Sequence, residues 1–571
     1  MVGAMKLIVT SGRTIQQGAQ LYSKDSREYT EETSCCFIHP LDLFEMNVEN
    51  GEHVLIKSVT GETVFKVISN EDVQVGMVFL PCGPHANYIL HSHTHGTGAP
   101  DYKWIDVEVT PTDQPIRPTW DLLEDEGGLR LGLSGSQCPT IAKADVVIHD
   151  VTCSLCGCLC DDLTANIKNN QVDSIENGCL LSAGKYTARG RLMNPVKKSG
   201  GKWNDISYDE AIQFTADMLL ESERPLLFGW SGTSCEAQCL GINIAEAVSG
   251  TIDNCSSICH GPSIMAIQEV GHPGCTLGQV KNRADLIIYW GANPLESHPR
   301  HMSRYTTYPD GYFVENGRKD RKVIVVDIRN TETARAADEF IQIKPGGDYA
   351  VFGALRAIVR GKGDVVPPVV AGVKRETLFL LAETCKNARF GAVFTGIGLT
   401  QSPGKYKNVR NAIELVAELN RHTKFTLTPM RGHWNVYGTN QTFAYLAGYP
   451  YAIDYSRGVS FYNPGETSAV DMLKNKEVDS CIIIGSDPGA HFPRECNEWL
   501  AKIPTVVIDP FIALSTALAD VQIPVASVGI DAEGTGYRLD SVPMWLKSVL
   551  DTTLMDDVQV LTKIYDLVRK G

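Results

Sequence analysis

A short loop crowded with cysteines restricts this chain more than any other feature. The pattern is Cys153-x2-Cys156-x3-Cys160-x18-Cys179, with Cys158 inside the loop as a surplus thiol. The 17 cysteines are not spread as a disulfide framework would be, and clustering in a reducing compartment favours metal ligation. A cubane needs four thiolates at the corners of a tetrahedron. A tight loop supplies three and a later element the fourth. The spacing therefore predicts a 4Fe–4S cluster on Cys153, Cys156, Cys160 and Cys179. Two alternatives stay open: unligated thiols, and a structural zinc on four cysteines. Zinc motifs, however, usually pair one C-x2-C with another.

A length of 571 residues favours three or four structural units over one core. A formal net charge of −15 argues against a dedicated binder of nucleic acid or anionic membrane. No apolar run reaches the ~20 residues of a membrane span. The start, MVGAMKLIVTSGRTIQQG, lacks the basic and apolar regions of a secretory signal, and no twin-arginine signal is evident. The expectation is a cytoplasmic protein without membrane insertion.

Residues 1–112 hold short β-like runs (KLIVTSGRTI, EHVLIKSV, ETVFKVI, GMVFLPC), with Asn50-Gly51 and Thr60-Gly61 as turns. They predict a small barrel. Residues 113–148, acidic and Gly-rich, read as a linker. Residues 149–200 form the cluster lobe. Residues 201–571 have a doubly wound α/β texture: ADLIIYWGANP, KVIVVDIR, ARFGAVFTGIG, DSCIIIGSDPG and IPTVVIDP are apolar runs ending in Gly, Asp or Asn. Ligands bind at the carboxyl ends of strands in open α/β sheets. Several such ends imply a long, nucleotide-bearing cofactor. Gly291, Asn293, Asp327, Arg329, Gly346, Asp348, Gly485 and Asp487 are its candidate contacts. Any one of them alone is an ordinary turn residue. No short-period repeat suggests a solenoid.

Cys259, in SSICHGPS (256–263), is by spacing alone a lone cysteine, for which a buried free thiol is the default. His91, His93 and His95 read as a solvated or cofactor-facing loop rather than a metal site. Cys35, Cys36, Cys235 and Cys239 complete no metal pattern and are assigned to structure.

CSLCGCLCDD with Cys179 resembles the cluster motif of the bis-pterin molybdenum/tungsten oxidoreductases, the formate dehydrogenase/DMSO reductase type. RGRLMNP (189–195), WNDISYDEAI (203–212) and VVDIRNTETARAADEFIQIKPGGD (325–348) resemble segments that follow there. SSICHGPS, MRGHWNVYG (430–438) and the CDD ending are similar to the catalytic B subunit of formylmethanofuran dehydrogenases. CGPHANYIL (82–90) and THGTGAPDYKWIDVEVTPT (94–112) resemble the D subunit of that family, a double-psi β-barrel that closes over the pterin. The resemblance implies a D–B fusion, with the barrel placed first instead of last.

It further implies a 4Fe–4S cluster and a tungsten or molybdenum bis(molybdopterin guanine dinucleotide). Cys259 would ligate the metal, a soft thiolate joining dithiolene sulfurs. His260 would relay a proton, and Arg431 would orient CO2 or formate. The alternatives are a hydrogen-bonded core histidine and a phosphate clamp. His433, Asn87 and Gly98 would touch the cofactor. Lys185 is the nearest counterpart of the lysine that bridges cluster and pterin, although its spacing from Cys179 is longer than in formate dehydrogenases. The implied reaction is reversible reduction of CO2 to formate with electrons from a ferredoxin-like donor. The implied partners are amidohydrolase-like, β-helical-type and ferredoxin-type subunits. The first of these would join formate to methanofuran. The rival readings are a formate dehydrogenase subunit that releases formate and a non-catalytic iron–sulfur electron-transfer subunit of the same fold.

Overall fold

Alternating apolar residues close the N-terminal segment into a six-stranded barrel. In the computed structural model, which describes residues 4–132, 141, 144–188 and 191–570, its strands are β1 (Met5–Gly12), β2 (Cys35–Ile38), β3 (His53–Lys57), β4 (Glu62–Ser69), β5 (Met77–Pro81) and β6 (Lys103–Pro111). Their order is β1-β5-β2-β4-β3-β6, and β6 pairs back onto β1. The β1–β5 and β2–β4 pairs are parallel. In β6, Ile105, Val107 and Val109 face the core while Trp104, Asp106 and Glu108 face out, the two-residue period of a strand with one wet face.

The segment read as a linker is partly packed structure. Helix Thr119–Asp125 buries Trp120 and Leu123 against Tyr29 of the barrel and against Ala490, Leu514 and Ala517 of the body. Its acidic side chains lie on the other face and conceal an apolar one. The rest of that segment at 133–140 and 142–143, and the first two residues of RGRLMNP, lie outside the described residues.

A three-stranded antiparallel sheet (Val146–Val151, Leu163–Lys168, Gln171–Glu176) carries the cysteine loop between its first two strands. Two larger sheets follow. One has five parallel strands in the order Glu339–Gln342, Lys322–Asp327, Leu286–Trp290, Phe390–Thr395, Lys424–Pro429. The other has nine. Its parallel centre runs Val521–Ile523, Thr505–Ile508, Ser480–Ile484, Pro225–Gly229, Thr251–Asn254. Unbroken apolar runs such as LIIYW and SCIII are buried throughout, as expected for strands covered on both faces. Among the described residues no helix is long and apolar enough to cross a membrane.

Each sheet has a switch point, where successive connections leave to opposite sides. In the five-stranded sheet it lies between Leu286–Trp290 and Phe390–Thr395. In the nine-stranded sheet it lies between Pro225–Gly229 and Ser480–Ile484. Such points open a crevice at the strand carboxyl ends.

Candidate active site

The two crevices are built alike. Gly291-Ala292-Asn293-Pro294 leaves one switch point and Gly485-Ser486-Asp487-Pro488 the other. Both glycines have positive φ, 56° and 53°, and Asn293 and Asp487 start short helices with Pro in the first turn. A Cβ on Gly396 would strike the Gly291 carbonyl, and a Cβ on Gly232 would strike the Gly485 carbonyl. Bare backbone thus faces bare backbone at both places, a cradle that suits two copies of a phosphate-bearing cofactor. The paired GANP and GSDP turns are a repeat readable in the sequence, and they identify Gly232 and Gly396 as partners that sequence reasoning missed.

Cys259 and Arg431 meet from different sheets. The Cys259 loop leaves strand Thr251–Asn254 and is held by its own backbone and by Asn254, whose Oδ1 accepts from Ser256 N at 2.9 Å. Thr400 Oγ1 donates to the Cys259 carbonyl at 2.7 Å, and Gln401 Nε2 to the Ile258 carbonyl at 2.9 Å. Arg431 follows strand Lys424–Pro429. Burial pushes the Cys259 thiol up to about 12, with Cys255 adding to the rise, while the Arg431 charge and the Gly432 N–H oppose it. A cation at the sulfur would reverse that balance. Cys259 is half-buried and His433 exposed, so both side chains keep accessible surface.

Arg431 is 6% exposed and donates from Nη1 to Asn440 Oδ1 at 2.8 Å. Its guanidinium lies over the Tyr437 ring, 4.8 Å from the centroid. Its Nε is buried without a hydrogen-bond partner, and no described carboxylate pairs with it. A desolvated cation left in this state is completed by an anion.

Two histidines bond the backbone that carries it. His260 Nε2 bonds the Met430 carbonyl at 3.0 Å, and its Nδ1 meets Ser263 Oγ at 3.2 Å. His298 Nε2 bonds the Arg431 carbonyl at 2.9 Å. Burial lowers His260 to about 3 and His298 to about 4, so both rings are neutral and donate to backbone. Each His260 nitrogen has a hydrogen-bond partner, and burial and the Arg431 charge disfavour its protonated form.

That loop is stitched to the cysteines. Gly157 N donates to the Gly432 carbonyl at 3.2 Å, and Cys156 and His433 form an isolated β-bridge. Cys153 N donates to the Cys160 carbonyl at 2.8 Å, closing the loop on itself. Cys179 heads helix Leu180–Tyr186. Cys153, Cys156, Cys160 and Cys179 are electrostatic neighbours; burial holds the Cys153 thiol well up, and its three fellow sulfurs add to the rise. The CDD ending has a physical role. Asp162 accepts from Arg300 at 2.5 and 2.7 Å and from Arg304 at 2.6 Å, and both cations lie by the Cys160 sulfur. Cys158, buried beside Cys156, is the fifth thiol of the group. Among the described residues no group of three or more His, Cys, Asp or Glu side chains is preset for a single metal ion. Cys153, Cys156 and Cys160 are buried and Cys179 is half-buried, a gathering of thiols of the chemistry a cluster would need.

Lys185 is brought back onto this loop by its helix. Its Nζ donates to Ser154 O at 2.6 Å and Ser154 Oγ at 2.9 Å, with Tyr22 of the barrel and Trp434 within cation–π range. Burial lowers it to about 8. It therefore stands beside Cys153 and between cluster loop and barrel.

The remaining candidates divide. Asp327 accepts from Ile328 N and Arg329 N, while Arg329 stacks over Phe79 of the barrel at 4.1 Å. Gly346 has φ +71° and lies against Trp104 of the barrel. Asp348 already accepts from Trp290 Nε1 at 2.9 Å, and Asn293 Oδ1 accepts from Thr333 Oγ1 at 2.5 Å. Asp487 is fully engaged by Lys24, Leu514 N and Ser515, which leaves it as a structural anchor for the barrel and not as a free acceptor. Asn87 donates to the Gly489 carbonyl at 3.3 Å and keeps a buried, unpartnered Oδ1. Gly98 sits against Ser257 and Ser468. His91, His93 and His95 lie in a loop between barrel and body, where His95 pairs with Asp101 at 2.8 Å. Sequence reasoning also passed over Arg13 and Lys103 at the barrel's inner end. The Arg13 charge reaches Cys156, Cys259 and His433, and Lys103, half-buried, is lowered to about 8 by desolvation.

Comparison with known proteins shows the family. The molybdopterin oxidoreductase family matches residues 191–529, and the molydopterin dinucleotide binding domain matches residues 7–105. The B subunit of tungsten-containing formylmethanofuran dehydrogenase 2 from Methanocaldococcus jannaschii is 46% identical over 410 residues, 71% of this chain and 94% of that one. The same subunit from Methanococcus maripaludis is 42% identical over 422 residues, covering 73% and 97%. The chain belongs to the formylmethanofuran dehydrogenase B-subunit family. As a member of that family it is an enzyme of the molybdopterin oxidoreductase class, with a closed barrel at its N-terminal end. Among solved structures, the fold matches a chain of the formyltransferase/hydrolase complex (FhcABCD) from Methylorubrum extorquens in complex with methylofuran. The TM-score is 0.54 at 20% identity, over 66% of this chain and 99% of that one. Acetylene hydratase from Pelobacter acetylenicus matches with a TM-score of 0.55 at 12% identity, over 74% and 69%.

Proposed function

We propose that this chain interconverts CO2 and formate at a tungsten or molybdenum bis(molybdopterin guanine dinucleotide), with electrons entering through a 4Fe–4S cluster. The observation that carries the proposal is the meeting of Cys259 and the unpaired Arg431 guanidinium directly against the cysteine loop. A bound metal–pterin group supplies the two-electron exchange. Cys259 ligates the metal. Arg431 orients the substrate and meets the charge that develops on two carboxylate oxygens, because its Nε edge is free and desolvated. His260 and His298, both neutral, fix the Met430 and Arg431 carbonyls and so aim the guanidinium. The paired glycine crevices would hold the two dinucleotides, with Asn87, Gly98 and His433 as further contacts. Lys185, held on Ser154 of the cluster loop, would bridge cluster and pterin.

In this reading the barrel, residues 1–112, closes over the cofactor. Residues 149–200 carry the cluster and residues 201–571 the catalytic sheets. A ferredoxin-like donor feeds the cluster, and formate passes to a separate amidohydrolase-like subunit for condensation with methanofuran. Fold alone does not carry the redox assignment, since a chain from a formyltransferase/hydrolase complex shares it. Cys259 and Arg431 do. The test is elemental analysis of the purified complex together with viologen-linked formate oxidation. Iron, one tungsten or molybdenum and turnover are expected. A metal-free, inactive chain made with its full set of partners would overturn the proposal.

A further inference from the structure

One turn holds both the Cys259 loop and a strap of the barrel. Thr400 and Gln401 bond the Cys259 and Ile258 carbonyls at 2.7 and 2.9 Å. Lys405, in the same turn, reaches the other way. Its Nζ donates to the Ala99 carbonyl at 3.1 Å and pairs with Asp101 Oδ1 at 2.9 Å. Ala99 and Asp101 close the strap that begins at His91, where an isolated bridge joins His91 to Asp101. Near the other end of the strap, Thr94 Oγ1 donates to Asp471 Oδ1 at 2.7 Å. Between the two ties, Gly98 at φ +78° lies so close to the body that a Cβ would strike Ser468 and come within 3.3 Å of Ser257 Cβ, two residues from Cys259.

The turn is costly to make and carefully braced. Lys405 is 5% exposed, so its ammonium is desolvated and depends on Asp101 and the strap carbonyl. Its backbone sits at φ 40°, ψ −114°, which a side chain-bearing residue rarely adopts. Asn408 Nδ2 donates to Leu399 O at 3.0 Å, Ser402 Oγ at 3.2 Å and Pro403 O at 2.9 Å, which fixes the turn against the next helix. A rigid turn with one end on the strap and the other on two carbonyls of the reactive loop transmits position between them.

We propose that Lys405 is a positioning residue: by clamping the barrel strap to the 400–405 turn, it sets the placement of the Cys259 loop. The spectroscopic part of the test rests on Cys259 as metal ligand; the exchange part does not. In the loaded complex, Lys405→Met should speed amide hydrogen exchange in both 94–101 and 256–260. It should also shift the paramagnetic resonance signal of the half-reduced metal while leaving the cluster signal unchanged. With the Arg431 fork intact, kcat for formate oxidation should fall about tenfold and KM stay within about twofold. Asp101→Asn, which keeps the acceptor oxygen but removes its charge, should move each readout the same way by less, and it carries the test if Lys405→Met does not load. Faster exchange confined to 94–101, with the metal signal unmoved, would overturn the proposal. Cys259→Ala run in parallel separates the two readings. If its metal signal matches the parent, the ligand assignment fails, and the exchange pattern alone decides the clamp.

Discussion

Replacing Arg431 by lysine keeps one positive charge in the site and removes the planar fork. The guanidinium spends Nη1 on Asn440 at 2.8 Å and keeps Nε buried and unpartnered, so the Nε edge of the fork is left without an acceptor. A carboxylate meets that edge with two parallel hydrogen bonds. An ammonium offers a single point of charge, and Asn440 Oδ1 competes for it. CO2 has no net charge and formate has one, so the lost bond matters most where that charge develops. Removing one donor of this kind costs ~10²–10³ in kcat, about 3–4 kcal/mol. The assay is viologen-linked formate oxidation on protein whose metal and iron contents match the parent, since Arg431 is not a proposed ligand. Turnover of metal-replete Arg431→Lys within about threefold of the parent would refute the reasoning; an effect this small lies well below the loss of one preorganised donor.

Cys156→Ser should abolish the paramagnetic signal of the reduced cluster, whereas Cys158→Ser should leave it largely intact; one zinc per chain with no iron would end the cluster reading. A chain beginning near residue 149 should lose pterin and metal because the barrel is gone, and full retention of both would give the barrel another role. Glu126, 2% exposed, is raised by burial from 4.5 to about 8. The folded state then binds its proton more tightly than the unfolded chain, so stability falls as pH rises between those values and the penalty is complete above 8. Glu126→Gln should therefore raise the melting temperature at pH 8 and barely change it at pH 5. A gain equal at both pH values would rule this out.

Much of the architecture was legible because strands write their burial into the chain. Four barrel strands showed in their apolar runs, but Cys35–Ile38 is too short to display a period. The strap from His91 to Asp101 carries no period either, and its course depends on left-handed backbone at His95, Gly96 and Gly98. The acidic stretch near residue 121 was read by composition, which hid the buried face of Trp120, Leu122 and Leu123. Cys259 and Arg431 were identifiable by motif, yet their meeting depends on two sheets and has no local signal. His260 shows the limit most clearly. Its residue type points to proton transfer, but the partners of its two nitrogens, the Met430 carbonyl and the Ser263 hydroxyl, have no local signal in the sequence. Lys185 errs in the opposite direction. Counting residues from Cys179 made it look too distant, but helix Leu180–Tyr186 folds that distance back onto Ser154.

The barrel's place at the start of the chain bears on biosynthesis. Its six strands are complete by Pro111 and pair only with one another, so it can fold as soon as it leaves the ribosome. The surfaces it docks on come much later: Asp487, which receives Lys24, and Gly489, which receives Asn87. At ordinary rates of synthesis that interval is on the order of tens of seconds. The cover is finished before the container. If the glycine crevices hold the cofactor as proposed, its loading falls after both crevices exist and before the barrel settles onto Asp487 and Gly489.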